Sequence, residues 1–223
     1  MTEGAPKRSR ARVFRDREEA GRALAAALHG RVERSHAIIL AIPRGGVIVA
    51  APVGRALDAP LDVVVPHKLR APDNPELAIG AVAPGVRVLD ERIIRALHVP
   101  ESYIEEEVAA QEAEIERRTR LYRADRPQPT FADATAVVVD DGIATGATAV
   151  AALRWARAQD PARVVFAAPI GPRSAARLLA NECDDAVVLE TPPSFRAVGD
   201  WYDRFDQVTD QEVLHVLRGG PGT

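Results

Sequence analysis

The chain has 223 residues, 47% hydrophobic and 27% charged, with a formal net charge of −3. That is enough apolar material for one α/β domain with a smaller appendage, and it excludes a general attraction to nucleic acid or to an anionic membrane. Cys183 is the only cysteine, which excludes an intrachain disulfide and a cysteine-rich zinc site, and no apolar run approaches the roughly 18 residues of a membrane-spanning helix.

The first 13 residues are polar and basic, with four cations within 7–12. They read as a solvated tail, or alternatively as an RNA-binding arm, and lack the apolar stretch of a signal peptide. A cytoplasmic protein is the expectation. A helix is predicted over 17–28, opened by Asp16 and Glu19 at capping-box spacing. An apolar strand at 37–42 then leads through Pro43-Arg44-Gly45-Gly46 into a helix at 47–57. A second strand at 61–65 ends in a polar connection bracketed by prolines, Pro66-His67-Lys68-Leu69-Arg70-Ala71-Pro72 and onward to Glu76. Loops of that length are usually functional or disordered.

A long helix is predicted over 102–123, started by Ser102 with Glu105 and dense in Glu early and Arg late, as the helix dipole favours. It reads as a solvated outer helix, with Arg117, Arg118 and Arg120 facing a partner subunit as the other reading. Prolines within 126–129 close it. Strands at 134–140, 163–169 and 186–189 alternate with helices at 147–158, 174–180 and 210–217. Strand-helix alternation of this kind gives an α/β, doubly wound parallel sheet. From 191 onward the pattern changes, and Trp201, Tyr202 and Phe205 concentrate the aromatics of a chain that is only 4% aromatic. Such a cluster is either the core of a small subdomain or a wall for a planar ligand.

The run Val137-Val138-Val139-Asp140-Asp141-Gly142-Ile143-Ala144-Thr145-Gly146-Ala147-Thr148 carries the most chemistry. A β-branched strand feeds a helix through two carboxylates and a Gly/Thr loop. Backbone N–H groups at a helix N-terminus lack intrahelical partners and suit a phosphate. Gly142 and Gly146 permit close approach, and the Thr145 and Thr148 hydroxyls can donate. Asp140 and Asp141 stand at the carboxyl end of the strand, where ligands of open α/β sheets bind. Carboxylates repel phosphate but accept from hydroxyls, so the pattern fits a ribose diol and a 5-phosphate on one molecule. Arg44 with Gly45 and Gly46 forms a second anion cradle, since a guanidinium binds phosphate bidentately and glycines bare their N–H groups.

This pattern resembles the binding motif for 5-phosphoribosyl-1-pyrophosphate (PRPP) in the type I phosphoribosyltransferases, and the whole chain is most similar to bacterial phosphoribosyltransferase-like proteins of unassigned acceptor. The resemblance implies a core over 14–190 with a lid near 66–80, an inserted helix near 102–123, and a hood-like segment over 191–218. It implies transfer of the 5-phosphoribosyl group to a nitrogenous base or amine with release of pyrophosphate, or else a non-catalytic PRPP sensor on the same fold. Gly142 through Thr148 would hold the 5-phosphate, Arg44, Gly45, Gly46 and Lys68 the pyrophosphate, and Asp140 and Asp141 the ribose diol together with Mg²⁺. Lys68 would close over the leaving group, with His67 and Arg70 in support. Trp201 and Tyr202 are the candidates for the base. Members acting on 6-oxopurines carry an acid where this chain has Ala144, which argues against hypoxanthine or guanine. A homodimer is expected from the family.

Overall fold

The computed structural model describes residues 13–124, 126 and 129–220; the basic stretch 7–12 and part of the proline-rich stretch 126–129 lie outside them. Five strands, β1 (Ala37–Ala41), β2 (Leu61–Val63), β6 (Thr135–Val139), β7 (Arg163–Ile170) and β8 (Asp185–Glu190), form a parallel sheet in the order β2-β1-β6-β7-β8. The runs Ile38-Ile39-Leu40 and Val137-Val138-Val139 are buried on both faces, as parallel strands require. Alternate side chains part the core in two. Ile39, Val137, Val139 and Val165 face α1 (Arg17–Leu28), α2 (Gly45–Leu57) and the last helix, α7 (Asp210–Leu217); Ile38, Leu40, Ala136, Val138 and Val164 face α5 (Ala147–Arg157) and α6 (Arg173–Leu179).

The polar connection after β2 is not a loop. Strands β3 (His67–Ala71), β4 (Asn74–Ala83) and β5 (Val86–Leu89) form a three-stranded antiparallel sheet. Leu69 and Ala71 turn inward while Lys68 and Arg70 face solvent, the period of two that a strand imposes. Pro72 and Asp73 make the hairpin turn, so the prolines that suggest irregular chain bracket a strand instead. A short helix, α3 (Glu91–Leu97), follows, capped by Asp90, which accepts from the N–H groups of Arg92 and Ile93. The long helix α4 (Glu101–Arg123) starts after Pro100, so Ser102 already lies inside it and the expected cap is not formed. Arg117 and Arg118 both bind Glu114, and Arg120 binds Glu116. Those cations are engaged within their own helix, and the Arg117 and Arg118 bonds hold the Glu114 carboxyl down at about 2.

The segment before α1 meets the segment after β8. Phe14 donates its N–H to the Trp201 carbonyl (2.9 Å) and accepts from Asp203 N–H (2.8 Å), and its ring packs with Tyr202. Asp16 caps α1 by accepting from Glu19 N–H at 2.8 Å, while the Glu19 carboxylate reaches Arg15 N–H. The segment after β8 is thereby tied to the start of α1 over the carboxyl ends of the strands, before Thr209 and Glu212 form a complete capping box on α7.

Candidate active site

Where β6 ends, Asp140 and Asp141 enter a cleft of about 370 Å³ whose lining includes Arg17, Lys68, residues 142 to 146 and 148 of the Gly/Thr loop, Val198 and Phe205. The two acids lie in a poorly solvated place. Burial, and then the neighbouring Asp141 charge, pushes the Asp140 carboxyl well above its ordinary range. Burial also raises Asp141, while the Arg17 charge pulls it back. Asp140 accepts the Asp141 N–H at 2.8 Å, and Tyr202 donates its hydroxyl to the Asp141 carbonyl at 2.6 Å. These bonds fix the backbone that aims both side chains.

The loop beyond them leads into a helix whose start has no side-chain cap. Gly146 is the N-cap of α5 with φ +88°, a conformation that L side chains rarely adopt, and no side-chain cap bond forms at that helix start among the described residues. One expected donor is already engaged: Ile143 gives its N–H to the Ile170 carbonyl at 2.8 Å, and its side chain is 2% exposed. Ile143 therefore anchors the loop, leaving the amides from Ala144 to Thr148 around the opening.

Lys68 lines the cleft from β3, exposed and without an ion-pair partner among the described residues. His67 beside it is half-buried. Its Nδ1 lies 2.8 Å from Gln111 Oε1 on α4, and burial lowers its pKa below the ordinary value, which disfavours a charge there. Arg44 also lies away from the lining; its Nη1 is 4.0 Å from Asp210 Oδ1 at the start of α7. Asp210 in turn accepts from the Tyr122 hydroxyl at 2.6 Å. Gly45 and Gly46 press directly on the acids: a Cβ on Gly45 would collide with the Asp141 carboxylate, and one on Gly46 would stand 2.9 Å from the Val139 carbonyl. Gly45→Ala is accordingly expected to weaken ligand binding at the acids by at least about tenfold, roughly the worth of one displaced charge-assisted contact. An unchanged affinity in calorimetry would show that the first βα turn can move aside.

Trp201 and Tyr202 do not line the cleft. Tyr202 is 6% exposed, packed between Phe14 and Phe205, and Trp201 joins the same cluster. Phe205 and Val198 stand at the opening in their place. The residue that sequence reasoning missed is Arg17, whose Nε is 2.7 Å from Asp141 Oδ2 and whose Nη1 donates to the Asp206 carbonyl at 2.8 Å. One signal was present. A cation in the first turn of a helix opposes the helix dipole, and Arg17 is such a cation.

Asp140 and Asp141 are hard oxygen donors, and among the described residues Arg17 is the cation that engages them, through Asp141. No cluster of three or more His, Cys, Asp or Glu capable of holding a metal occurs among the described residues. The donor set thus fits a Mg²⁺ ion shared with substrate oxygens rather than one caged by protein alone.

Residues 14–201 match the phosphoribosyl transferase domain family. Two Mycobacterium tuberculosis proteins, from strains CDC 1551 and H37Rv, carry provisional phosphoribosyl transferase names; each is 43% identical over 207 residues, which is 92% of this chain and 46% of theirs. The chain therefore spans about half the length of those relatives. The crystal structure of TT1426 from Thermus thermophilus superposes with a TM-score of 0.78 at 40% identity, covering 94% of this chain and 100% of that one.

Proposed function

This chain belongs to the phosphoribosyl transferase domain family, and from that premise we propose that it moves the 5-phosphoribosyl group of PRPP to a nitrogenous base or amine and releases pyrophosphate. The observation that carries this reading is a cleft in which two half-buried carboxylates adjoin a helix N-terminus with no side-chain cap. Few ligands need a hydroxyl acceptor and a phosphate donor set side by side. A ribose 5-phosphate does.

In this reading the amides from Ala144 to Thr148 and the Thr145 and Thr148 hydroxyls bind the 5-phosphate, and Asp140 and Asp141 accept from the ribose 2- and 3-hydroxyls. Lys68 neutralises the leaving pyrophosphate, and Gly45 and Gly46 let its oxygens approach the backbone. Arg44 joins them after leaving Asp210. The C1–oxygen bond breaks as the acceptor nitrogen bonds to C1, so positive charge builds on the ribose ring and negative charge on pyrophosphate. The two carboxylates beneath the ring favour the first, and the cations favour the second. Mg²⁺, held by Asp140 and Asp141 with substrate oxygens, would supply further charge neutralisation of the pyrophosphate. The same reading takes the protein as cytoplasmic, where its charged substrate is found, and as a homodimer, by resemblance to the family.

A second reading, a PRPP-binding sensor that performs no transfer, is favoured by one observation: the guanidinium expected at pyrophosphate is turned to Asp210, out of the cleft. Pyrophosphate release separates the two. Release from PRPP and Mg²⁺ that depends on an added base supports the transferase; PRPP binding with no release across a broad panel of bases supports the sensor.

A further inference from the structure

The hairpin that carries Lys68 has one edge without a neighbouring strand, because β3 is an outer strand in the order β3-β4-β5. Backbone groups along such an edge need other partners. Helix α4 supplies them with side chains. The Tyr103 hydroxyl donates to the Arg70 carbonyl at 3.2 Å, and Glu107 Oε1 accepts the Arg70 N–H at 3.2 Å. One turn further on, Gln111 Nε2 donates to the same Glu107 Oε1 at 3.2 Å, and Gln111 Oε1 lies 2.8 Å from His67 Nδ1. Tyr103, Glu107 and Gln111 follow one another at i,i+4 spacing, so they share one face of the helix. All three are half-buried, whereas Glu105, Glu106, Ala109 and Ala110 between them are exposed.

The chemistry of the groups gives this series of bonds a single direction. An ionised carboxylate only accepts, so the Gln111 amide turns its nitrogen to Glu107 and its oxygen to His67. That oxygen cannot donate, and His67 Nδ1 therefore carries the proton. His67 is fastened to α4 by its ring, and Arg70 by both of its backbone groups. Lys68 stands between these two anchors and lines the cleft. A lysine has a long flexible stem, so the strand that holds its Cα decides where the ammonium can reach.

We propose that Gln111 and Glu107 are positioning residues for Lys68: by clamping β3 against α4 they hold the lysine at the cleft before a ligand arrives. Holding it in advance spares the ordering cost that a mobile segment meets on binding. The strand acts as a fixed wall that carries a cation. The inference rests on the phosphoribosyl transfer reading, which puts the pyrophosphate of PRPP against Lys68.

The test is a double-mutant cycle on the full chain, read by calorimetry with PRPP and Mg²⁺ and with ribose 5-phosphate as the ligand that lacks a pyrophosphate. Lys68→Ala is expected to weaken PRPP binding by about tenfold or more, the size of one charge-assisted hydrogen bond, and to leave ribose 5-phosphate within about threefold. Gln111→Ala keeps α4 intact, since Ala is the best helix former. It should weaken PRPP by about three- to tenfold and spare ribose 5-phosphate, and Glu107→Ala should do the same from the neighbouring link. Because the clamp acts only through the lysine, Lys68→Ala combined with Gln111→Ala should bind PRPP within about twofold of Lys68→Ala alone. Losses that multiply in the double variant, an equal loss of ribose 5-phosphate in Gln111→Ala, or PRPP binding untouched by Lys68→Ala, Gln111→Ala or Glu107→Ala would each overturn the assignment. Failure of the wild type to bind PRPP would instead bring down the reading on which it rests.

Discussion

Replacing Asp140 and Asp141 together by Asn is expected to weaken Mg²⁺-dependent PRPP binding by about 10²–10⁴-fold, since each charge-assisted contact contributes roughly 1.5–3 kcal/mol. The protein should remain folded. Asp140 is disfavoured as an anion by burial and by its neighbour, so an amide there relieves repulsion, and its oxygen can still accept the Asp141 N–H as the carboxylate does at 2.8 Å. An Asn at 141 can likewise accept from Arg17. On the proposed reading, the double variant removes negative charge under the ribose, and with it the affinity for Mg²⁺. Calorimetry beside a thermal melt separates the two effects: lost affinity with a Tm near that of the wild type is the expected pair. Affinity within about threefold of the wild type, under 1 kcal/mol, would mean that the acids do not hold the diol.

The second large effect is structural. Asp62→Ala is expected to cost about 3–5 kcal/mol, a fall in Tm of roughly 6–20 °C for a chain of this length. Asp62 sits in β2 with its side chain 9% exposed, and it binds Arg123 at the end of α4 through a 2.6 Å contact, with Arg126 at 3.7 Å. It also accepts the Val63 N–H at 2.8 Å. Removing the carboxylate takes away the 2.6 Å ion pair made by the Arg123 guanidinium, which is only 15% exposed. The attachment matters to the site because α4 packs on β3, which carries Lys68, so the Asp62 pair links the parallel sheet to the hairpin over the cleft. Asp62→Asn, which can keep an oxygen toward Val63, should lose less. A Tm within about 1 °C for Asp62→Ala, well below the shift that such a loss implies, would show that solvent or rearrangement satisfies Arg123 without it.

Asp62 also shows what a sequence conceals. An acid inside an apolar strand is visible as an anomaly, but its partner is 61 residues away in the chain and no local pattern names it. The parallel strands and the helix 17–28 were legible because apolar runs and capping residues are local signals. The hairpin from His67 to Ala83 was not, because its prolines and charges match loop composition while the alternation of Leu69 and Ala71 with Lys68 and Arg70 spans too few residues to outweigh them. Pro100 shifted the start of α4 ahead of Ser102, a case of one backbone constraint overriding a capping signal.

The candidate site divides along the same line. Asp140 to Thr148 are contiguous, so a strand, two acids and a helix start could be read directly. Arg17 lies 124 residues from Asp141, in a helix whose start is tied to the segment after β8 at Phe14 and Trp201. Trp201 and Tyr202 were attractive as base-facing aromatics by composition. Burial decided otherwise: Tyr202 uses its hydroxyl to hold the Asp141 backbone and its ring to support Phe205.

The most direct measurement is a calorimetric titration of the full chain with PRPP, with and without Mg²⁺, using ribose 5-phosphate for comparison. The cleft geometry predicts micromolar, Mg²⁺-dependent binding that weakens when the pyrophosphate is absent, a free energy of about 8 kcal/mol within reach of a handful of charge-assisted bonds. A folded protein that binds neither ligand would contradict the account, and the roles given to Asp140, Asp141 and the cradle from Gly142 to Thr148 would fall with it.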